Sequence, residues 1–238
     1  MKIILPREHG AWAMLVVPFV LGIAGEGFRW LHIPLLLGWL MLYITSYPFL
    51  MIYRNGRVQE YKKWLVLYGL IAAALLIFPI IRYPALLWLG CGLFVTLLVN
   101  LYYIRVQNER GMVNNFSAVA GMSLGGVASG YVGAGDWSFD LLLTWVICVV
   151  FFMGSVFFVK SMIRERKNIY FRALSWFYHG AVVLIIFACS GSLLLTAAFL
   201  PSLLRAIFAA GRTLSAWQIG ILEMVNSMLF LILTIAYF

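Results

Sequence analysis

An ionisable side chain inside an apolar run is the first place to look for chemistry, because inserting it costs about 2.5–3.5 kcal/mol on membrane-insertion scales. Glu223 is the clearest case in this chain, and Asn226 and Ser227 follow it at i+3 and i+4, so a helix puts all three on one face. That face reads in two ways. It predicts a hydrogen-bond cluster between helices, with Glu223 neutral or paired to an arginine such as Arg205 or Arg7, or else a proton, cation or substrate site. Asn100, one turn after Thr96, and the adjacent Asn114 and Asn115 form weaker polar patches, one of the two adjacent asparagines being expected to cap its helix. If there is catalysis, Glu223 and His9 are the candidate proton acceptors; the rest of a catalytic set is unknown.

Seven cations have the spacing of an anion site. Lys160, Arg164 and Lys167 follow an i, i+4, i+7 pattern and predict one face of a helical extension. Arg54 and Arg57 stand in a second cluster with Lys62 and Lys63, and Arg105 and Arg110 form a third. Arginine and lysine grip phosphate without a metal. The plainer reading is topology plus attraction to anionic headgroups, worth about 1 kcal/mol per residue near a membrane surface. His9, His32 and His179 lack metal-ligand spacing, and Cys91, Cys148 and Cys189 lie far apart in apolar runs, as packing residues would. No metal and no cofactor is expected.

Only membrane-spanning helices can position these groups. Of 238 residues, 64% are apolar and 11% charged, and the net charge is +9. Mean hydropathy is +1.00, which excludes a water-soluble domain and makes nucleic acid a poor partner for the positive charge. Apolar runs predict an all-α bundle with spans near 10–25, 33–53, 64–81, 84–104, 115–134, 140–160, 173–189, 191–208 and 215–237. Residues 173–210 admit either one long helix or two turning at Cys189-Ser190-Gly191-Ser192, hence eight or nine spans. Charge favours nine: with both termini placed accordingly, the N-terminus inside and the C-terminus outside, all Lys and Arg except Arg29 and Arg82 fall on the inner side. The opening Met1–Leu5, broken by Pro6, is too short for a cleaved signal peptide, so the N-terminus is expected to be retained. No internal repeat or linker divides residues 1–238, so one domain is expected. Ser117, Gly121, Gly125, Ser129 and Gly133 recur every four residues and predict a smooth stripe, a seam against another helix or a cavity wall. Pro18 and Pro48 fall inside the first and second spans and are expected to bend them.

The segment Pro6-Arg7-Glu8-His9-Gly10-Ala11-Trp12-Ala13-Met14-Leu15, followed by Val17–Gly22, resembles the start of the YwiC-like family of bacterial integral membrane proteins. That resemblance implies a multi-pass protein of the bacterial cell membrane and assigns no activity. More distantly, the pattern is similar to the UbiA superfamily of intramembrane prenyltransferases. The features behind this are Pro18–Gly22, long cytosolic loops after helices two and six, and Tyr102-Tyr103-x-Arg105 before a glycine-rich fifth helix. The resemblance implies a nine-helix bundle with the N-terminus inside and the C-terminus outside. Its metal chemistry is not implied here, because those enzymes hold Mg²⁺ with aspartate-rich motifs and residues 1–135 contain no aspartate. The expectation is a membrane protein binding an anionic lipid or isoprenoid phosphate in a cytosol-facing cavity, without Mg-dependent prenyl transfer. A small-solute or proton-coupled transporter is the alternative, and a scaffold for another membrane protein the second.

Overall fold

The structure, a computed structural model, describes residues 9–238, with His9 described by its backbone alone. Among the described residues are nine α-helices and no strand: α1 (His9–Glu26), α2 (His32–Asn55), α3 (Val58–Arg82), α4 (Leu86–Arg105), α5 (Met112–Ala134), α6 (Phe139–Ile163), α7 (Ile169–Ser190), α8 (Leu193–Phe208) and α9 (Ala216–Tyr237). Six of them (α2, α3, α4, α6, α7 and α9) are long and apolar enough to cross a bilayer. Glycine and serine lower the hydropathy of α5, while α1 and α8 are shorter; at 1.5 Å per residue the 16 residues of α8 reach about 24 Å.

Two glycines close helices where the sequence alone is ambiguous. Gly191 adopts φ 61°, donates its N–H to the Phe187 carbonyl at 2.9 Å and ends α7, and the Ser192 hydroxyl then accepts the Leu195 N–H at 3.3 Å to start α8. Residues 169–208 are therefore two helices. Gly56, at φ 66°, ends α2 in the same way.

The connections differ from expectation. The charged stretch Val58–Lys63 continues α3 into the polar zone, so α2 and α3 are joined by Gly56 and Arg57 alone. Between α6 and α7 stand only residues 164–168. The long loops that suggested UbiA-like architecture are thus short turns extended by helix. Lys160, Arg164 and Lys167 also fail to share one helical face. The helix ends at Ile163, where the Arg164 and Glu165 N–H groups both close on the Lys160 carbonyl, and Lys167 falls in the turn that Asn168 ends by capping α7. Nor does either adjacent asparagine cap α5. Gly111 is the N-cap, and Asn114 and Asn115 donate side-chain N–H to the carbonyls of Glu109 and Arg110. Of the cysteines expected to pack between helices, Cys148 is buried, whereas Cys91 and Cys189 are exposed.

The chain divides into two compact units. One is Pro18–Trp145, and the other combines His9–Val17 with Val146–Phe238. In the first, α2 packs on α3 and α4 on α5. The small-residue stripe of α5 is a seam there: a Cβ on Gly121 would lie 2.9 Å from the Thr96 side chain, and one on Gly125 2.9 Å from Trp39 Nε1. On Gly126 it would lie 2.8 Å from the Pro18 carbonyl oxygen, and on Gly133 2.8 Å from that of Gly27. Buried His32 stitches the seam, accepting the Arg29 N–H on Nδ1 at 2.8 Å and donating from Nε2 to the Ser129 carbonyl at 2.8 Å. The Ser129 hydroxyl donates in turn to the Phe19 carbonyl at 2.7 Å.

Replacing Gly126 by valine should destabilise the protein by about 1–3 kcal/mol, because rigid backbone occupies the space a Cβ needs. Gly220→Ala, with open space around it, should leave stability equal or raised. Thermal unfolding in detergent, followed by size-exclusion chromatography, compares the two.

Candidate functional site

The second unit holds the residues that could bind a polar ligand. Here α8 packs on both α7 and α9. Two rungs join α8 to α9 in one antiparallel register, since three residues forward along α8 is three residues back along α9. In the first rung Ser202 and Asn226 exchange hydrogen bonds at 3.0 and 3.2 Å. In the second, Arg205 Nη1 forms an ion pair with Glu223 Oε1. The antiparallel hairpin thus puts Glu223 opposite the arginine that its environment requires.

Arg205 is held on several sides. Its Nη2 donates to Ser155 Oγ on α6 at 3.4 Å, and its guanidinium carbon stands 4.5 Å from the Phe158 ring centre, a cation–π distance. Only 7% of its side chain is exposed, and 13% of that of Glu223. Yet Arg205 Nε is buried without a hydrogen-bond partner. A guanidinium has five N–H donors and no acceptor, so this arginine has donor capacity unspent.

Arg205 also lines a hollow of about 410 Å³ at the α8–α9 turn, with Phe208, Ala209, Arg212, Leu214, Gln218, Ile221 and Leu222 around it. The volume suits a small ligand or a lipid headgroup. Arg212 is exposed and makes no ion pair among the described residues. Ser215 and Gln218 form a capping box that fixes the start of α9 and hence the far wall. Against the turn lies Arg172 of α7, whose Nη1 would stand 3.3 Å from a Cβ on Gly211.

Inward of the two rungs the polar path narrows and stops. His179 Nδ1 donates to the Ser175 carbonyl at 2.7 Å, which leaves Nε2 as an acceptor without a partner. It borders a cavity of about 10 Å³, the size of one water, walled by Gly154, Tyr178, Phe199 and Ser202 among others. One turn beyond the Ser202–Asn226 rung, Phe151 and Phe230 stack with ring centres 3.7 Å apart and Phe199 meets Phe230 edge-on at 5.3 Å. The hollow at the α8–α9 turn and this small cavity share no lining residue.

Of the residues singled out from sequence, Glu223, Asn226 and Ser227 share one face as their spacing implied, with Asn226 and Ser227 buried and Glu223 nearly so. Asn100, Asn114 and Asn115 belong to the other unit, where Asn100 donates to Asn114 Oδ1 at 3.5 Å. Arg54 is spent on Glu109 at 3.5 Å and Arg57 on Glu60 at 3.6 Å, both pairs being partly exposed. Arg105 and Arg110 are exposed at the α4–α5 turn. The side chain of His9 lies outside the described residues, as does Arg7. Arg212, Gln218, Ser155, Ser202 and His179 were missed. The i, i+3 spacing of Ser202 and Arg205, matched to Glu223 and Asn226 across a short turn, was the available signal.

A family model described as YwiC-like protein matches residues 5–131, more than half of the chain. The chain belongs to the YwiC-like family. A Bacillus subtilis (strain 168) relative, called uncharacterized protein YwiC, is 40% identical over 97% of this chain and 96% of its own length. A Haemophilus influenzae relative, called simply an uncharacterized protein, is 34% identical over 98% of both chains. No solved structure matches. Bacterial relatives of nearly equal length accord with a bacterial membrane protein. The family model stops before the Arg205–Glu223 rung, but both full-length relatives extend across most of the second unit of this YwiC-like chain.

Arg205→Met should destabilise the protein by roughly 3–5 kcal/mol, because it strands a carboxylate between helices. Arg205→Met combined with Glu223→Leu should recover most of that loss, since neither charge is then left alone. Chemical or thermal unfolding of the single and double variants, compared as a double-mutant cycle, checks the pair.

Proposed function

We propose that this multi-pass membrane protein binds an anionic amphiphile, a lipid or isoprenoid phosphate, at the α8–α9 hollow. One observation carries the reading: Arg205, more than nine-tenths buried and fixed by Glu223 and Ser155, borders the hollow and keeps a buried Nε–H without a partner. An oxyanion in the hollow would lie beside Arg205, and Arg212 on the rim would add a second cation. The lining of Phe208, Leu214, Ile221 and Leu222 suits an acyl or isoprenoid chain better than a free ion. In the orientation that the charge distribution favours, the hollow opens to the cytosol at the level of the headgroups.

This site replaces most of the cation clusters expected from sequence. Arg54 and Arg57 already have carboxylate partners, and a paired surface arginine has less to offer a phosphate. Lys160 and Arg164, at the end of α6, belong to the same unit as the hollow and remain part of the proposal as an outer basic fringe. Neither metal nor cofactor enters the reading. Chemistry on the bound amphiphile is not assigned.

Transport is the second reading, favoured by the polar rungs that continue inward from the hollow to His179. It would require the clustered Phe151, Phe199 and Phe230 rings to part.

Arg212→Ala should lower the fraction of protein retaining an anionic lipid in native mass spectrometry by at least about threefold, with Arg54→Ala plus Arg57→Ala close to wild type. Equal retention by all three proteins would remove the hollow as the binding site. If Phe230→Ala produces solute flux in proteoliposomes while Arg212→Ala leaves lipid retention unchanged, transport takes its place.

A further inference from the structure

The charges around the hollow are few enough to count, and their balance restricts what it holds. Three charged side chains belong to it directly: Arg205 and Arg212 line it, and Glu223 is paired to Arg205. Arg205 and Glu223 cancel, leaving the single positive charge of Arg212. Arg172 lies behind Gly211, half-buried and outside the lining. His179, beyond the Ser202–Asn226 rung, has its Nδ1–H committed to a backbone carbonyl. α6 contributes the neutral Ser155 and Phe158 at Arg205, and Lys160 lies further along the same helix.

Resting on the anionic-amphiphile reading, we infer that the hollow selects a monoanionic headgroup, a phosphodiester, over a phosphomonoester or diphosphate, and that Glu223 sets this preference. A phosphodiester carries one negative charge, which Arg212 neutralises. A phosphomonoester carries nearly two at neutral pH. Its second charge meets no unpaired cation in the lining and faces the Glu223 carboxylate across Arg205. In a partly buried site an unmatched charge at such range lowers affinity on the order of tenfold or more. Glu223 thus has two effects: it holds the arginine in place, and it subtracts one charge from what the arginine can attract.

The experiment uses the full-length protein in a neutral detergent at pH 8, titrated with phosphatidylglycerol, phosphatidic acid or phosphatidylcholine of identical acyl chains and read by native mass spectrometry. Wild type should bind phosphatidylglycerol about tenfold more tightly than phosphatidic acid, and Glu223→Gln should abolish or reverse that preference. Gln218→Arg, on the exposed rim, adds a cation without touching the buried pair and should shift the preference the same way even if Glu223→Gln fails to fold. A wild-type preference below about twofold, or one that neither variant moves, overturns the charge rule while leaving anion binding intact. Binding of both anionic lipids no better than phosphatidylcholine overturns the binding reading itself. Soluble glycerophosphoglycerol and glycerol 3-phosphate form a further arm. Affinities equal to those of the lipids would keep the charge rule and assign the headgroup to the aqueous phase, whereas much weaker binding supports the lipid.

Discussion

A charge between helices that face hydrocarbon must have a partner, because no water is present to solvate it. In the second unit that constraint falls on Arg205 and Glu223, and much of the local arrangement follows from it. The two side chains meet only if α8 and α9 are antiparallel in one register, and that register also aligns Ser202 with Asn226. Ser155 and Phe158 bring α6 to the same guanidinium. The α8–α9 turn then falls beside Arg205, and the hollow is what remains between the turn and the buried pair. A buried ion pair is a poor source of net stability, because desolvating both charges offsets most of their attraction. Its retention here is better explained by what it fixes: the register of two helices and the position of a guanidinium beside an open site.

The first unit packs its interior without a buried ion pair among the described residues. Its interior depends on close backbone approach, with glycines on α5 accepting Thr96, Trp39 and the carbonyls of Pro18 and Gly27 where a side chain would collide. His32 and Ser129 then satisfy backbone groups across that seam. Such packing gains from dispersion and from hydrogen bonds made out of water, not from a hydrophobic drive that lipid does not offer. It leaves little room between the helices at the seam, whereas the hollow that carries the ligand reading lies in the second unit. The partly open hollow and the tight seam are two outcomes of one rule, that polar groups in a membrane protein are either matched or exposed at an end.

How far the sequence could be read depended on the physical range of each signal. Helix positions were legible because apolar runs of about 20 residues have few alternatives, and boundaries in structure and sequence differ mainly where charged residues extend a helix past the hydrocarbon, as at Val58 and Ile169. The α5 stripe was legible because four-residue spacing is a one-helix property. Glu223, Asn226 and Ser227 were placed on one face for the same reason, and that face is buried. Lys160, Arg164 and Lys167 had equally good spacing, but the helix carrying them ends before the third, because the Lys160 carbonyl closes its last turn.

By itself the sequence determined an all-helical membrane protein, its small-residue seam and the one buried acid that required a partner, since each is fixed by residues within a single helix. Tertiary structure alone decided which arginine answers Glu223, that Arg54 is paired with Glu109, and that Arg205, Arg212 and Gln218 border one hollow. Those relations join separate segments of chain. Helical periodicity gives the face on which a side chain lies, while the facing helix and its register come from packing, which no local pattern encodes.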